Sequence, residues 1–298
     1  MHPRFFLLQY LAEPFQTLLA TIAVRGATVD RIPLKHFPDL IMSVPPLAEQ
    51  ERIVRILDEA LDAIDRAQAN TKASSVSIDA LFQATLDDVI QGASASGKSM
   101  TLSDVLAVQP RNGWSPPAAH HAPSGTPVLT LSSVTGFTFK ADRVKHTSAE
   151  TSPVAHYWVH DGDLLMTRSN TPRLVGHVAL ASGLTEPTVY PDLIMRMRTD
   201  PSVMISDYAY FMLRTLQSRN YLTSRAGEAS QTMSKITKRT VQTMPVFVPS
   251  QGTQAEAVGR LHQVEDECQT SRMMNQAKSN LLADLRAEIL SRAFNGYL

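Results

Sequence analysis

Shifted by 204 residues, the stretch from Pro45 to Gly92 falls on Pro249 to Gly296 without a gap, and this internal repeat limits the possible architectures more than any other feature. Matched pairs include Pro45/Pro249, Gln50/Gln254, Val54/Val258, Leu57/Leu261, Asp62/Asp266, Leu81/Leu285, Leu86/Leu290 and Gly92/Gly296. Upstream the likeness is looser. Phe5-Phe6-Leu7-Leu8 resembles Tyr210-Phe211-Met212-Leu213 one residue out of register, and Thr28 and Ile32 return to register with Thr232 and Ile236. Both copies read as long helices. In the first, Ile53, Leu57, Ala60, Ile64 and Ala67 step by four and three along one seam, and Ile78, Phe82 and Val89 continue it after a polar patch, Asn70 to Ser75. Pro45-Pro46 mark the start, and Gly92 is expected just past the helix end. The second copy carries Val258, Leu261, Cys268, Leu282, Leu285 and Ile289. About 45 residues make a rod of roughly 65–70 Å. Two such rods, each with one apolar stripe, bury those stripes by packing as an antiparallel pair. The alternative is two independent amphipathic helices on separate cores.

Between the rods the texture changes. Short β-rich runs (Val128 to Leu131, Leu164 to Met166, Val175 to Leu180, Leu193 to Met195) alternate with Pro, Gly, Ser and Asn turns, and a helix is expected over Ile205 to Leu216. The expected fold class is therefore α+β: a mixed globular domain flanked by two long helices packed as an antiparallel coiled coil. The chain divides into residues 1–46, a central helix and linker 47–98, a complete domain 99–249 and a C-terminal helix 250–298.

Net charge is zero, but its distribution is uneven: residues 99–249 hold 14 Lys/Arg against 10 Asp/Glu, whereas residues 47–98 hold 5 against 9. A basic excess on the non-helical module suits phosphate binding, and ordinary solubility charge explains it as well. The single cysteine, Cys268, rules out an internal disulfide framework, fits a reducing compartment, and is read as packing. The apolar run at Phe5 to Leu8 is interrupted by Gln9, Glu13 and Pro14, and no other stretch approaches the ~18 apolar residues of a membrane span. A soluble, cytoplasmic protein with no membrane partner is expected.

Gly92 to Ser99 (GASASGKS) matches the phosphate-binding pattern formally, but such a loop needs a buried strand before it and a helix after it. Here a helix end comes first, and Ala-Ser-Gly reads as a linker. Metal-dependent nuclease and methyltransferase loops lack their residues: there is no Glu-x-Lys, no Gly-x-Gly and no Asn-Pro-Pro. His120-His121 and His156/His160 have no cysteine nearby, so no metal is expected and no residue is assigned a catalytic role. Two segments carry recognition chemistry instead. Asp161 to Gly176 runs from a turn into an apolar strand and then a polar loop holding Arg168, Ser169, Asn170, Thr171 and Arg173. Arginine reads guanine bidentately, asparagine reads adenine, and hydroxyls hold phosphates. Gln231 to Arg239 adds Ser234, Lys235, Lys238 and Arg239. Taken singly, each is equally a solvated basic loop.

Val44 to Val54 (VPPLAEQERIV) resembles the signature that opens the long helices of type I restriction–modification specificity subunits. Gly162 to Arg168 (GDLLMTR) is similar to that family's hallmark strand in a target-recognition domain, and Ala293-Phe294-Asn295-Gly296 to the close of its last helix. With the repeat, the resemblance covers essentially the whole chain. It implies a non-catalytic subunit with two recognition domains held apart by two antiparallel helices, each domain reading one half of a split site in double-stranded DNA. It further implies that the helices, here at Gln50, Ile53, Leu57, Ile64, Val258, Leu261 and Leu285, dock methylation subunits. Those subunits carry S-adenosylmethionine, and motor–nuclease subunits join for restriction; no cofactor is expected on this chain. The pattern is departed from in one way. Residues 1–46 match only the end of a recognition domain, so about 100 or more residues of that domain are expected to be missing. A truncated product, a partial chain or a half-subunit that pairs with another copy all remain open. The uncovered Phe5, Phe6, Leu7, Leu8 and Leu11 are expected to drive self-association. The rival readings are a coiled-coil protein–protein scaffold that reads no DNA, a degenerate inactive fragment, and a nucleotide-dependent enzyme using Gly97-Lys98-Ser99.

Overall fold

A computed structural model describes residues 1–26, 30–230 and 233–295. Thr28, Gln231, Thr232 and Gly296, all used in the sequence comparison, lie outside the described residues. In chain order the elements are α1 (Pro3–Leu11), α2 (Glu13–Ile22), α3 (Leu47–Ser94), β1 (Lys98–Thr101), β2 (Leu106–Asn112), β3 (His121–Ala122), β4 (Thr126–Leu129), β5 (Val144–Thr147), β6 (Leu164–Thr167), β7 (Ser169–Asn170), β8 (Val178–Leu180), β9 (Ile194–Thr199), α4 (Ser206–Arg214), α5 (Leu216–Ser224), β10 (Gly227–Ser230), β11 (Met233–Lys235), α6 (Lys238–Gln242), β12 (Pro245–Val248) and α7 (Gln251–Phe294). The fold is mixed α+β with two long helices, α3 and α7, packed together. The chain forms two compact units, Met1–Asp79 with Cys268–Leu298, and Ala80–Glu267.

In the first unit, Phe5, Leu8 and Ala12 of α1 and its end pack on Ile53, Val54, Leu57 and Leu61 of α3 and on Leu290 and Ala293 of α7. Leu57 is wholly buried and Leu8 nearly so, and each buried apolar side chain of this size stabilises by roughly 1.5–3 kcal/mol. Polar rungs continue the pairing: Asp65 with Arg286, Ser74 and Ser75 with Asn275, and Asp79 with Arg272. As one residue number rises the other falls, so the helices are antiparallel. The ionic rungs are solvent-exposed and set register more than stability. The helix starts where the Pro46 carbonyl accepts the Glu49 and Gln50 amides at 2.9 and 3.0 Å.

The repeat reappears as geometry. In the first unit, Gln50 Oε1 accepts the His2 amide at 2.7 Å, and its Nε2 donates to the Pro45 carbonyl at 2.6 Å. In the second, Gln254 Oε1 accepts the Ile205 amide at 2.8 Å, and its Nε2 donates to the Pro249 carbonyl at 3.0 Å. Each buried glutamine thus accepts the amide of the residue that precedes a short helix, α1 or α4, from the first turn of a long one.

The second unit is built on an antiparallel sheet in the order β2-β9-β6-β8. Its inner strand β6 has no exposed residue, which explains the unbroken apolar run at Leu164-Leu165-Met166. Leu165, Ala179 and Ile194 form a core with Leu129, Val134, Val159, Ala181 and Tyr190. Smaller sheets β3-β5-β4, β10-β11-β7 and β1-β12 surround it.

Four local expectations need correction. The helix does not stop at Gly92 but runs to Ser94, and nothing lies within 4 Å of where a Gly92 Cβ would sit. Of the run from Val175 to Leu180, only Val178–Leu180 is strand. The run from Val128 to Leu131 leaves its strand after Leu129, where Thr130 caps a 3-10 turn. The helix expected over Ile205 to Leu216 is α4 and ends at Arg214, because Thr215 adopts an extended ψ and its Oγ1 accepts the Ser218 amide to start a second helix, α5.

Candidate nucleic-acid interface

The loop after β6 is aimed by what precedes it. Gly162 has φ +84°, a conformation that favours glycine, and turns the chain into β6. Asp163, fully buried, receives Arg196 Nη1 at 3.1 Å, Arg198 Nη2 at 2.8 Å and the His160 amide at 2.8 Å. At the other end of β6, Thr167 Oγ1 donates to the Leu174 carbonyl at 2.7 Å and accepts the His177 amide at 3.0 Å. These bonds close the loop at its feet.

The two basic segments, more than sixty positions apart in sequence, meet here. In the β7–β11 pairing Ser234 lies opposite Asn170 and Lys235 opposite Ser169, and the Ile236 amide donates to the Arg168 carbonyl at 2.9 Å. Lys238 and Arg239 follow in the first turn of α6, whose start is capped by Thr237 Oγ1 accepting the Thr240 amide at 3.0 Å. One surface therefore presents Thr171, Arg173, Lys235, Lys238 and Arg239, all exposed. The four cations take part in none of the ion pairs among the described residues.

The remaining expected contact residues are placed differently. Ser169 and Ser234 are buried, because both sit in the β7–β11 pairing; they hold the surface together and do not line it. Arg168 is half-buried, its Nη1 donating to the Asp192 carbonyl at 3.3 Å. Asn170 spends both ends of its amide internally: Nδ2 donates to Thr135 Oγ1 at 3.4 Å, and Oδ1 accepts the Thr171 amide at 2.8 Å. Two neighbouring segments carried no recognisable motif. Ser115 Oγ donates to Asp192 Oδ1 beside Arg168, and the Thr135-Gly136-Phe137 turn lies against Asn170. Gly136 (φ +95°) was the one signal for that turn.

The helix positions expected to dock partners also need correction. Gln50, Ile53, Leu57, Ile64 and Leu261 are buried and Val258 is half-buried, because these are the rows that pack inside the chain. Only Leu285 of that set is exposed. In the first unit the exposed large apolar side chains on the two helices are instead Leu47, Ile56, Val76, Met273, Met274, Leu281 and Leu285.

Gly97-Lys98-Ser99 follows a helix and a turn and opens β1, which pairs with β12. That order is the reverse of a phosphate-binding loop. Gly97 lines an apolar cleft of about 680 Å³ with Met212, Leu216, Phe247 and Asp87, a setting unsuited to a phosphate. Among the described residues no group of three His, Cys, Asp or Glu is placed to hold a metal, and no helix is long and apolar enough to cross a membrane.

No family model matches the sequence. The chain is 25% identical over 287 residues to the Type I restriction enzyme EcoKI specificity subunit of Escherichia coli (strain K12), covering 92% of this chain and 61% of that protein. It is 24% identical over 179 residues to the Type I restriction enzyme EcoEI specificity subunit of Escherichia coli, covering 58% of this chain and 30% of that one. The chain thus spans less than two thirds of the curated relatives it matches. Among solved structures it shares its fold with a chain from a study of complex assembly and conformational transition in the type I R-M system (TM-score 0.78, 19% identity, 99% of this chain and 72% of that one). The HsdS subunit from Thermoanaerobacter tengcongensis also matches (TM-score 0.56, 18% identity, 100% and 71%).

Proposed function

We propose that this chain, a homologue of type I restriction specificity subunits, reads one half-site of a split target in double-stranded DNA for a restriction–modification complex. The observation that carries the reading is the β7–β11 pairing, which joins two basic segments into one surface whose exposed cations are not neutralised by described carboxylates. Lys235, Lys238 and Arg239 suit phosphates, which fix position without carrying sequence, and Arg173 suits a guanine edge. Arg168 and Asn170 join the reading set on release of their internal partners.

The exposed apolar side chains of α3 and α7 suit methylation subunits, and a rod of fixed length converts weak half-site contacts into one register-specific site. In this reading the methyl donor S-adenosylmethionine sits on those subunits, motor–nuclease subunits join for restriction, the chain does no chemistry itself, and the complex works in the cytoplasm.

Duplex binding measured by fluorescence anisotropy across salt concentrations tests the reading. With four exposed cations engaged, log affinity is expected to fall with log salt at a slope of about −3 to −4. A flat salt dependence, or no binding at low salt, would return the chain to the scaffold or inactive-fragment reading.

A further inference from the structure

The outer part of the recognition loop is held by side chains from elsewhere in the unit. The Arg173 carbonyl receives two donors, His177 Nε2 at 3.1 Å and Arg219 Nη2 of α5 at 3.2 Å. On the far side of its ring, His177 Nδ1 accepts the Gly136 amide at 3.0 Å. Accepting at one nitrogen and donating at the other fixes a neutral imidazole in a single tautomer. Burial, helped by the Arg219 cation, keeps it neutral by pushing its pKa down to about 4.

The ring is also clamped flat against Phe137, with centroids 4.0 Å apart and planes 18° from parallel. Phe137 has φ +65°, the one positive φ at a non-glycine among the described residues, and such backbone costs of order 1–3 kcal/mol. It is held there by the Tyr210 hydroxyl, which donates to the Phe137 carbonyl at 2.6 Å. The Arg219 guanidinium lies 5.6 Å from the same ring. Gly176 (φ +73°) lets the loop close on this cluster, since a Cβ there would meet Arg219 Nη1 and the Ile236 Cδ1 at 2.9 Å. A strained turn, a single-tautomer histidine and a half-buried arginine thus converge on the carbonyl of the one exposed arginine in the loop.

We propose that His177 is a positioning residue for sequence reading: it fixes the backbone beneath Arg173, with Arg219 as second donor, and so sets where the Arg173 guanidinium meets the base edges. This rests on the DNA-reading role proposed above. Sequence reading through a bidentate contact is sensitive to such placement, whereas phosphate attraction is not.

The experiment is selection of bound sequences from a random duplex library by the full chain and two variants. His177→Gln puts an amide donor where Nε2 stands; His177→Asn keeps an acceptor near Nδ1 and loses the donor to Arg173. The wild type and His177→Gln are expected to enrich the same motif. His177→Asn is expected to relax one base position about 10- to 100-fold, with low-salt non-specific affinity unchanged. An identical motif with identical selectivity in His177→Asn would overturn the inference. If that variant does not fold, Arg219→Met removes the other donor to the same carbonyl and is expected to relax the same position, and an unchanged motif overturns the inference equally. No enriched motif for the wild type would instead contradict the DNA-reading role and remove the basis for this one.

Discussion

Helices α1 and α4 begin in the same way and end up in opposite surroundings. Each has the amide of its N-cap residue, His2 or Ile205, accepted by a glutamine of a long helix, Gln50 or Gln254. Tyr208 and Phe211 of α4 face the long helices at Ser94 and His262, and with the sheet packed on α4 its neighbours Ala209 and Leu213 are also fully buried. On α1 the corresponding surface is bare, with Phe6 42%, Leu7 43%, Tyr10 37% and Leu11 51% exposed. The long helices differ to match. Where the first copy has buried Leu61, the second has Glu265, paired at 2.7 Å with Arg214, whose guanidinium packs over Phe82 and Tyr210. The scaffold is therefore duplicated, whereas a domain body with a recognition loop is described on one copy. The exposed basic loops belong to the second copy, and the first offers an apolar helix face.

Substitutions can break this comparison at several strengths. The largest effect is expected at Asp163, which exists only in the covered copy: Asp163→Ala strands Arg196 in the interior and should cost about 3–5 kcal/mol in urea unfolding. A loss below about 1 kcal/mol would mean that the ion pair does not organise the sheet. Next come the two glutamines. Gln254→Ala and Gln50→Ala should each cost about 1–3 kcal/mol, with Gln254 the costlier because its amide also donates to the Val203 carbonyl. The reverse order would show that the N-terminal copy is the better anchored one.

On DNA, Arg173→Ala should lose about 1–3 kcal/mol of affinity with a change of base preference, whereas Lys238→Ala should weaken all sequences alike and lower the salt slope by about 1. Acid should act on the covered copy in particular. His177 has its pKa lowered to about 4 from 6.5 by burial and the nearby Arg219 cation. The unfolded chain then binds the proton that the native state refuses. Its contribution is intact above about pH 6.5 and declines as pH falls toward 4, by roughly 1–3 kcal/mol for this buried ring. His177→Gln, measured by thermal melts across that range, should flatten the decline. The smallest stability effect is expected on the bare copy. Leu7→Lys with Leu11→Lys should change stability by less than about 0.5 kcal/mol, yet reduce self-association in sedimentation at high concentration.

The sequence made the scaffold legible because helical repeats are local: the 204-residue shift and the Pro45-Pro46 start are visible without any knowledge of packing. β6 was legible for a similar reason, since a strand buried on both faces shows an unbroken apolar run, here Leu164-Leu165-Met166. What escaped was long-range. No pattern near Ser169 or Ser234 indicates that they pair with each other's strands, so both read as free hydroxyls. Likewise the seam residues Ile53 and Leu57 were assigned to a partner although the second helix of the same chain covers them. His177 went unnoticed because its role depends on Gly136 and Arg219, about forty positions away on either side. Thr215 divides α4 from α5 through side-chain hydrogen bonds to Met212 and Ser218, which no propensity argument weighs against a continuous apolar stripe.

The central claim, that the covered copy reads DNA for a methylating complex, is tested most directly by mapping methylated adenines genome-wide in cells that co-express this chain with type I methylation subunits. The account predicts methylation at a recurring motif with one fixed half-site, and loss or relaxation of that half-site with Arg173→Ala. Methylation that is absent although the subunits co-purify, or a motif unaffected by Arg173→Ala together with Lys235→Ala, would contradict it.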